Sequence, residues 1–437
     1  MEWDKVDGYR CATNPSGRPC TSLQIVSNPR IAAIASSQYR MRRPSIRRLD
    51  ARSLQFSENG TFQISIFEDL HFAENATDDA MTKQVMRSIL SDEEAQLVVL
   101  NGDLISGDAI QGSGSSDYVH EVVSPLVEIN QPWASTYGNH DCQDNLDPSK
   151  DIFDQENQYP TSLTRSDISG TQAGITNYYL MVYPHDNISG PPALLLWFFD
   201  SRGGRNATKR DSSMTPGVRE DWVDESVVEW FVQKNANLTS EFGCSIPSLA
   251  FYHIPAHAMF EYQDKGVSRK RTPGINGETV VSQGSGDTQY IGQDSRFMNA
   301  LLNTTGLLAT FSGHDHENDW CFKWDNNTVD QNITGTGLNM CYGRHTGYGG
   351  YSDVARGARQ ILINQTDLEN QVRTWIRLED GSISAPVTLN ATYGQDRYGL
   401  TFSDKRIQFS GASSPYDSPF LFFYIWASFW LFTFWQR

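Results

Sequence analysis

Short apolar runs alternate with amphipathic stretches along the chain, and this alternation constrains the possible fold more than any other feature. Runs with the length and composition of buried strands occur at 62–67, 97–100, 133–137, 193–199, 249–253 and 307–311. Stretches with helical spacing of apolar residues occur at 80–94, 117–130 and 219–237. This order predicts an α/β domain whose functional loops follow the carboxyl ends of the strands. Further strands at 360–363 and 372–378 indicate a second, more antiparallel half-sheet.

Aspartate, histidine or asparagine follows five of these strands. The residues are Asp69 and His71, Asp103, Asn139 and His140, His253, and His314 and His316. A single such residue at a strand end is more often part of a turn or of the core. However, five of the nine histidines of the chain lie at these strand ends. The pattern therefore indicates one shared site rather than a set of unrelated turns.

The motifs at these strand ends resemble those of the calcineurin-like metallophosphoesterase family. The resemblance spans Asp69 to His316 and is carried by VVLNGDLISGD, PWASTYGNHD, LWFFDSRGG, GHDHENDWCFKWD and CYGRHTGYGGY. These phrases look like the fungal branch of the family, which is related to purple acid phosphatase-like proteins and to a protein phosphatase. The resemblance implies a four-layer α/β/β/α sandwich with two central mixed β-sheets. Ser106 stands where purple acid phosphatases have a tyrosine ligand, so no purple iron centre is expected.

The resemblance also implies a centre of two divalent or trivalent metal ions, for which Fe, Zn and Mn are the candidates. Asp103 would bridge the two ions. Asp69, His71 and His316 would complete the first site, and Asn139, His253 and His314 the second. A hydroxide bridging the ions would attack phosphorus in line, and His140 would protonate the leaving oxygen or stabilise the transition state.

Other residues are weaker candidates. Asp141 and Asp315 are expected to orient ligands, although Asp315 could instead cap a turn. His257 could line the substrate pocket or lie on a surface loop, and Arg344 and His345 in a glycine-rich loop could contact the substrate phosphate. A disulfide between Cys321 and Cys341 is plausible in a secreted protein.

Composition limits the possible partners. The chain has 437 residues, with 35 Lys and Arg against 52 Asp and Glu, and a formal net charge of −17. Such a surface repels nucleic-acid backbones, so nucleic-acid binding is not expected. The expected partner is a phosphoester substrate, and we expect a monomer.

Composition also divides the chain into three zones. Residues 1–58 contain a basic cluster at 40–50 and are interpreted as a flexible basic leader. Residues 59–405 are interpreted as the phosphoesterase domain. Residues 406–437 combine a small-residue spacer with an apolar tail at 420–435. This tail has the layout of a GPI-attachment signal, and a tail-anchored helix is the competing interpretation. Either one would be the membrane contact of the protein.

The expected compartment is the secretory pathway or the cell surface. Ten N-glycosylation sequons favour this, at Asn59, Asn75, Asn187, Asn206, Asn237, Asn303, Asn326, Asn332, Asn364 and Asn390. The first thirty residues contain no apolar run typical of a signal peptide, which suggests a misplaced or truncated start. A cytoplasmic or vacuolar location is the alternative, because relatives of this kind are also placed in the cytoplasm.

The sequence thus predicts a metal-dependent phosphatase that acts on phosphate monoesters, either phosphoproteins or small esters. One alternative is a phosphodiesterase acting on nucleotide or lipid headgroup diesters. The other, from a different class, is a catalytically silent surface protein that keeps the fold.

Overall fold

A computed structural model describes residues 53–110, 115–143, 146–170, 172–205, 218–286, 289–325 and 333–399. The strands are β1 (Leu54–Gln55), β2 (Thr61–Phe67), β3 (Leu97–Asn101), β4 (Trp133–Thr136), β5 (Ile168–Gly170), β6 (Gly174–Tyr183), β7 (Leu194–Phe198), β8 (Ser248–Phe251), β9 (Leu307–Ser312), β10 (Cys321–Trp324), β11 (Leu338–Tyr342), β12 (Gly357–Asn364), β13 (Val372–Leu378) and β14 (Ile383–Leu389). The helices are α1 (Ala76–Asp92), α2 (Ser115–Glu128), α3 (Asp154–Glu156), α4 (Glu225–Phe242), α5 (His257–Lys265) and α6 (Ser295–Asn303).

Two mixed sheets form the centre of the molecule. The six-stranded sheet has the order β14-β13-β12-β2-β3-β4, in which β2, β3 and β4 are parallel and β12 to β14 are antiparallel. The eight-stranded sheet has the order β1-β6-β7-β8-β9-β11-β10, with β5 paired to β6. Its central strands β7, β8, β9 and β11 are parallel. The predicted strands at 360–363 and 372–378 therefore extend the sheet of β2 rather than forming a separate one.

The sheets pack face to face, and helices cover their outer faces. Ile64 and Val99 of one sheet share an apolar core with Leu196 and Phe311 of the other. On the outside, α1 and α2 pack on the six-stranded sheet, and α4 and α6 pack on the eight-stranded sheet. The predicted α/β/β/α architecture is confirmed.

Helix boundaries follow capping residues more closely than apolar spacing. α1 begins after Asn75, whose side chain accepts a hydrogen bond from the Thr77 amide at 2.8 Å. α4 begins only after Asp224, which caps it, and not at residue 219 as expected. The buried Val223 belongs to the segment that leads into the helix.

The folded body begins earlier than expected. Leu54 and Gln55, which the sequence assigns to the leader, pair with Val182 and Tyr183 of β6. Residues 1–52 and the apolar tail at 420–435 lie outside the described residues. Among the described helices, none combines the length and apolar character needed to cross a bilayer.

Cysteines and sequons occupy defined places. Cys321 and Cys341 face each other across β10 and β11 and form a disulfide, with Cα atoms 4.0 Å apart. The sequon asparagines within the described residues are surface positions, with Asn390 partly exposed and the others exposed: Asn59, Asn75, Asn187, Asn237, Asn303 and Asn364. Asn206, Asn326 and Asn332 lie outside the described residues.

Candidate metal centre

The polar residues that follow the strands converge where the two sheets meet at their carboxyl ends. β2, β3 and β4 of one sheet bring Asp69, Asp103 and Asn139 to this edge, each just beyond its strand. β8 and β9 of the other sheet bring His253 and His314. Parallel strands end at one edge of a sheet, so residues far apart in sequence become neighbours.

A first group consists of Asp69, His71 and His316. One potential ligand atom from each lies within 4.8 Å of the others, and all three residues are buried. The Nε2 atoms of His71 and His316 are 3.2 Å apart. Two imidazole nitrogens at this separation can both bind one cation.

A second group consists of Asp103, His253 and His314, again within 4.8 Å. Nε2 of His253 lies 2.9 Å from Oδ2 of Asp103. Asp103 also belongs to a group with His71 and His140, so its carboxylate connects the first group to the second. We call Asp69, His71 and His316 the first subsite, and Asn139, His253 and His314 the second, with Asp103 between them.

Asn139 provides a test of whether these residues fit a metal. Its Oδ1 atom is buried and has no hydrogen-bond partner among the described residues. A buried amide oxygen without a partner costs free energy, about 1–3 kcal/mol, unless something else satisfies it. Carboxylate, imidazole and amide ligands suit zinc, iron and manganese. The residues therefore fit the metal ions that the sequence predicts.

The backbone at the site is strained. Asp69, His71, Asp103 and His314 all have positive φ angles, between 49° and 77°. Residues other than glycine rarely adopt this left-handed region, at a cost of about 1–3 kcal/mol each, and such residues cluster at functional sites. The local conformation thus marks four of the predicted ligands independently of their chemistry.

Two glycines make room for the ligands. A Cβ atom at Gly138 would lie 2.2 Å from Oδ1 of Asp103, and one at Gly102 would lie 2.4 Å from Nδ1 of His253. Gly102 also has a φ of +95°. The glycines that precede Asp103 and Asn139 are therefore required by close packing against the site as well as by turn geometry.

Burial and mutual attraction set the protonation of the second subsite. Burial disfavours protonation of His253, but the carboxylates of Asp103 and Asp69 outweigh it and raise the pKa of His253 to about 10. Burial, together with the positive charge on His253, lowers the pKa of His314 to about 3. Burial opposes ionisation of Asp103, but His253 and His140 hold its pKa well below the usual range. In the absence of metal, the protonated His253 balances the Asp103 carboxylate.

Asp69 and His140 show the effect of burial more directly. Burial raises the pKa of Asp69 well above its ordinary value, and the neighbouring Glu68 and Asp103 add to this. Burial lowers the pKa of His140. His140 is only partly buried, its Nδ1 has no partner among the described residues, and its backbone N–H donates to Asp103 Oδ1 at 2.8 Å.

The supporting aspartates have different roles. Asp141 accepts hydrogen bonds from the amides of Leu104, Ile105 and Gly138, and so joins the loops that carry Asp103 and Asn139. Asp315 accepts from the Tyr342 hydroxyl and the Val281 amide. These contacts join the loop after β9 to its surroundings, and neither involves a histidine. Asp315 was expected to orient a ligand histidine. Instead, its carboxylate supports the loop that follows β9.

Three residues expected to contact the substrate are buried and already engaged. His257 lies 2.8 Å from Ser282 Oγ and stacks on Tyr290. Arg344 pairs with Asp319 at 2.6 Å and donates to the Ala355 carbonyl.

His345 completes this set. It contacts the Gly349 carbonyl and Arg356, and its ring lies 3.9 Å from that of His316. In this structure neighbouring residues engage polar groups of all three residues, and the substrate contacts expected of them stay predictions.

Residues that sequence reasoning missed lie around the first subsite. Tyr351 is 53% exposed and stacks on His316 with ring centroids 4.0 Å apart. Glu74 accepts a hydrogen bond from Ser106 and lies 3.4 Å from Nδ1 of His71. These contacts outweigh partial burial and lower the pKa of Glu74 to about 2. The position of Glu74, three residues after His71, was the available signal.

Comparison with known proteins places these observations in context. The family model described as calcineurin-like phosphoesterase matches residues 69–318. The chain is 26% identical over 371 residues to probable inactive purple acid phosphatase 29 of Arabidopsis thaliana, covering 76% of this chain and 86% of the relative. It is 27% identical over 347 residues to phosphatase DCR2 of Saccharomyces cerevisiae, covering 75% and 55% respectively. A dimetal phosphatase from Danio rerio aligns with a TM-score of 0.47 and 13% identity, covering 75% of this chain and 98% of that one.

Proposed function

Because the chain belongs to the calcineurin-like phosphoesterase family, we propose that it is a metal-dependent phosphatase that hydrolyses phosphate monoesters. The observation that carries the proposal is the position of Asp103. Its carboxylate lies within 4.8 Å of ligand atoms of both histidine groups, where it could serve two ions at once.

The residues of the two subsites would hold the ions. Asp69, His71 and His316 would bind one, Asn139, His253 and His314 the other, and Asp103 both. Such ions neutralise phosphoryl oxygens and activate water for attack on phosphorus. The outer nitrogen of His253 is held by the Asn101 carbonyl at 2.9 Å, which directs Nε2 of this residue towards the site.

We assign His140 to the leaving group. It is partly exposed and lies outside the proposed ligand set, and its backbone amide donates a hydrogen bond to Asp103. An imidazole N–H at this point would donate a proton or a hydrogen bond to the oxygen that departs with the alcohol. His314 is also partly exposed, but it belongs to the proposed ligand set.

A silent protein with the same fold is the second candidate. It is favoured by one observation, because a relative that is 26% identical carries the name of a probable inactive phosphatase. Against it, every ligand position predicted from the sequence is occupied by a residue that can bind metal, as is the position of His140. We therefore prefer the enzyme.

The test combines metal analysis with a choice of substrates. Purified protein is assayed by mass spectrometry for metal and with p-nitrophenyl phosphate and bis-p-nitrophenyl phosphate, beside the variant Asp103→Ala. We expect about two metal ions per chain, turnover of the monoester, and loss of both in the variant. Preference for the diester would indicate a phosphodiesterase. If the protein binds no metal and hydrolyses neither ester when several divalent ions are added, the remaining interpretation is a catalytically silent protein.

We further propose that the chain matures in the secretory pathway. The surface positions of the described sequon asparagines and the Cys321–Cys341 disulfide support this. A shift in electrophoretic mobility after N-glycan removal from protein made in its native host is the expected result, and an unchanged mobility would contradict it.

A further inference from the structure

A hydrogen-bonded chain fixes the orientation of His71. Its Nδ1 lies 2.9 Å from Ser106 Oγ, and Ser106 Oγ lies 2.6 Å from Glu74 Oε1. A carboxylate only accepts, so the single hydroxyl proton of Ser106 must point to Glu74. The serine oxygen then accepts from Nδ1–H of His71. This leaves the lone pair of His71 Nε2 facing His316 and the first subsite.

The same carboxylate also acts on the other histidine. Oε2 of Glu74 accepts a hydrogen bond from the Gly350 amide at 2.8 Å. The next residue, Tyr351, places its carbonyl oxygen 2.9 Å from Nδ1 of His316. A carbonyl also only accepts, so Nδ1 of His316 carries the proton and its Nε2 lone pair faces His71.

We propose that Glu74 is the positioning residue of the first subsite. One oxygen acts through Ser106 on His71, and the other acts through the Gly350–Tyr351 backbone on His316. Both imidazoles are thereby held in the tautomer that can bind a cation at Nε2. This inference rests on the proposed function, since it concerns the same metal centre.

A purely structural role for Glu74 would have different consequences. Glu74 lies directly before Asn75, the cap of α1, and its side chain is 32% exposed. If it only supported this turn, its replacement would lower stability and leave metal binding unchanged. Metal affinity, measured beside the stability of the metal-free protein, therefore separates the two roles.

Two substitutions test the hydrogen bonds that join Glu74 through Ser106 to His71. Glu74→Gln keeps the shape of the side chain but replaces one acceptor oxygen with a donor, so either Ser106 or Gly350 loses its acceptor. Ser106→Ala removes the hydroxyl between Glu74 and His71. Matched controls are Ser65→Ala, a buried serine that donates to Gln360, and Glu128→Gln, a surface glutamate paired with Arg87.

The measurements are metal affinity for Zn²⁺ and Mn²⁺ by competition with a coloured chelator, and thermal unfolding in excess chelator. We expect one of about two sites to weaken by about 10–100-fold in both variants, while the controls bind as wild type does. The metal-free proteins Glu74→Gln and Glu128→Gln should unfold at similar temperatures.

The outcomes are distinguishable. Wild-type protein that binds no metal would overturn the proposed function and this inference together. Wild-type protein that binds metal and hydrolyses ester, with unchanged affinity in Glu74→Gln and Ser106→Ala, would overturn the inference alone. Equal weakening in Ser65→Ala would also overturn it, because the effect would then report general destabilisation.

Discussion

The two subsites contain similar ligands but are held by different parts of the chain. In the second, the Asn101 carbonyl, which ends β3, contacts His253. The Asp141 side chain accepts from the amides of Leu104 and Ile105, just after the shared Asp103. In the first, the outer nitrogens of His71 and His316 are held by Ser106 and by the Tyr351 carbonyl. Tyr351 belongs to a loop between β11 and β12, far along the chain.

This difference has a physical consequence. Strand ends are fixed by the ladder hydrogen bonds of a buried sheet, so the Asn101 carbonyl that contacts His253 is held by the sheet itself. Gly350 and Tyr351 are exposed and lie outside these ladders, and exposed positions of this kind open at lower free energy. The first subsite is therefore the part of the centre whose metal affinity should respond most to changes in residues that do not bind metal.

The largest effect is expected from Gly138→Ala. The new Cβ atom would lie 2.2 Å from Oδ1 and 2.6 Å from the backbone nitrogen of Asp103, and neither can move freely in the buried site. Displacing the shared carboxylate should affect both subsites and reduce kcat by about 100-fold or more. Metal analysis and turnover of p-nitrophenyl phosphate measure this. Gly170→Ala, where nothing lies within 4 Å, is the control and should behave as wild type.

A smaller and more selective effect is expected from Gly350→Ala. Gly350 has a φ of +74°, and a Cβ atom there would lie 2.6 Å from Cε1 of His316 and 3.0 Å from Cδ2 of His71. The change should weaken the first subsite by about 10–100-fold and leave the second close to wild type. Titration with Zn²⁺ resolves the two sites. Equal weakening of both would show that the subsites are not supported independently.

The smallest effect concerns pH and belongs to the second subsite. The metal-free pKa of His253, raised to about 10 by Asp103 and Asp69, exceeds its ordinary value of 6.5. The attraction of protonated His253 to these carboxylates stabilises the metal-free fold in full below pH 6.5, the pKa of His253 in the unfolded chain. This stabilisation is lost as the pH rises through about 10, where His253 of the folded protein loses its proton.

A metal ion must displace that proton, so affinity at the second subsite should rise about tenfold from pH 7 to pH 8. Calorimetry in two buffers with different ionisation enthalpies counts the protons released on Zn²⁺ binding. His253→Asn should release about one proton fewer than wild type. Proton release that is the same in both proteins would contradict the assignment.

The same contrast between strand ends and loops explains which parts of the site could be predicted from the sequence. Asp69, Asp103 and His253 lie at the end of an apolar run or within three residues of it, so the pattern placed them at strand ends. Their grouping into one metal site came from the family resemblance. The loop contacts are non-local. Asp319, which engages Arg344, and Tyr290, which stacks on His257, cannot be recognised as partners from spacing. The engagement of Arg344 and His257 by these buried partners therefore could not be predicted from the sequence.

Secondary structure shows a similar limit. The eight strands predicted from apolar runs lie within a few residues of observed strands. β6, the longest of the described strands, was not predicted, nor were β10, β11 and β14, and α4 was started too early. Val223 is buried and apolar but lies ahead of the Asp224 cap, so apolar spacing extends the helix past its true beginning. The cap residue was the better signal.

The cross-strand disulfide has a consequence for local opening of the eight-stranded sheet. β10 is the edge strand, and Cys321 ties it to Cys341 of β11, which in turn pairs with β9. An edge strand normally frays alone and then exposes unpaired amides to other chains. Here β10 cannot separate fully unless β11 moves with it, which would uncover the strand that leads to His314 and His316. Amide exchange at this edge should therefore report on the metal centre, although the disulfide contacts no ligand.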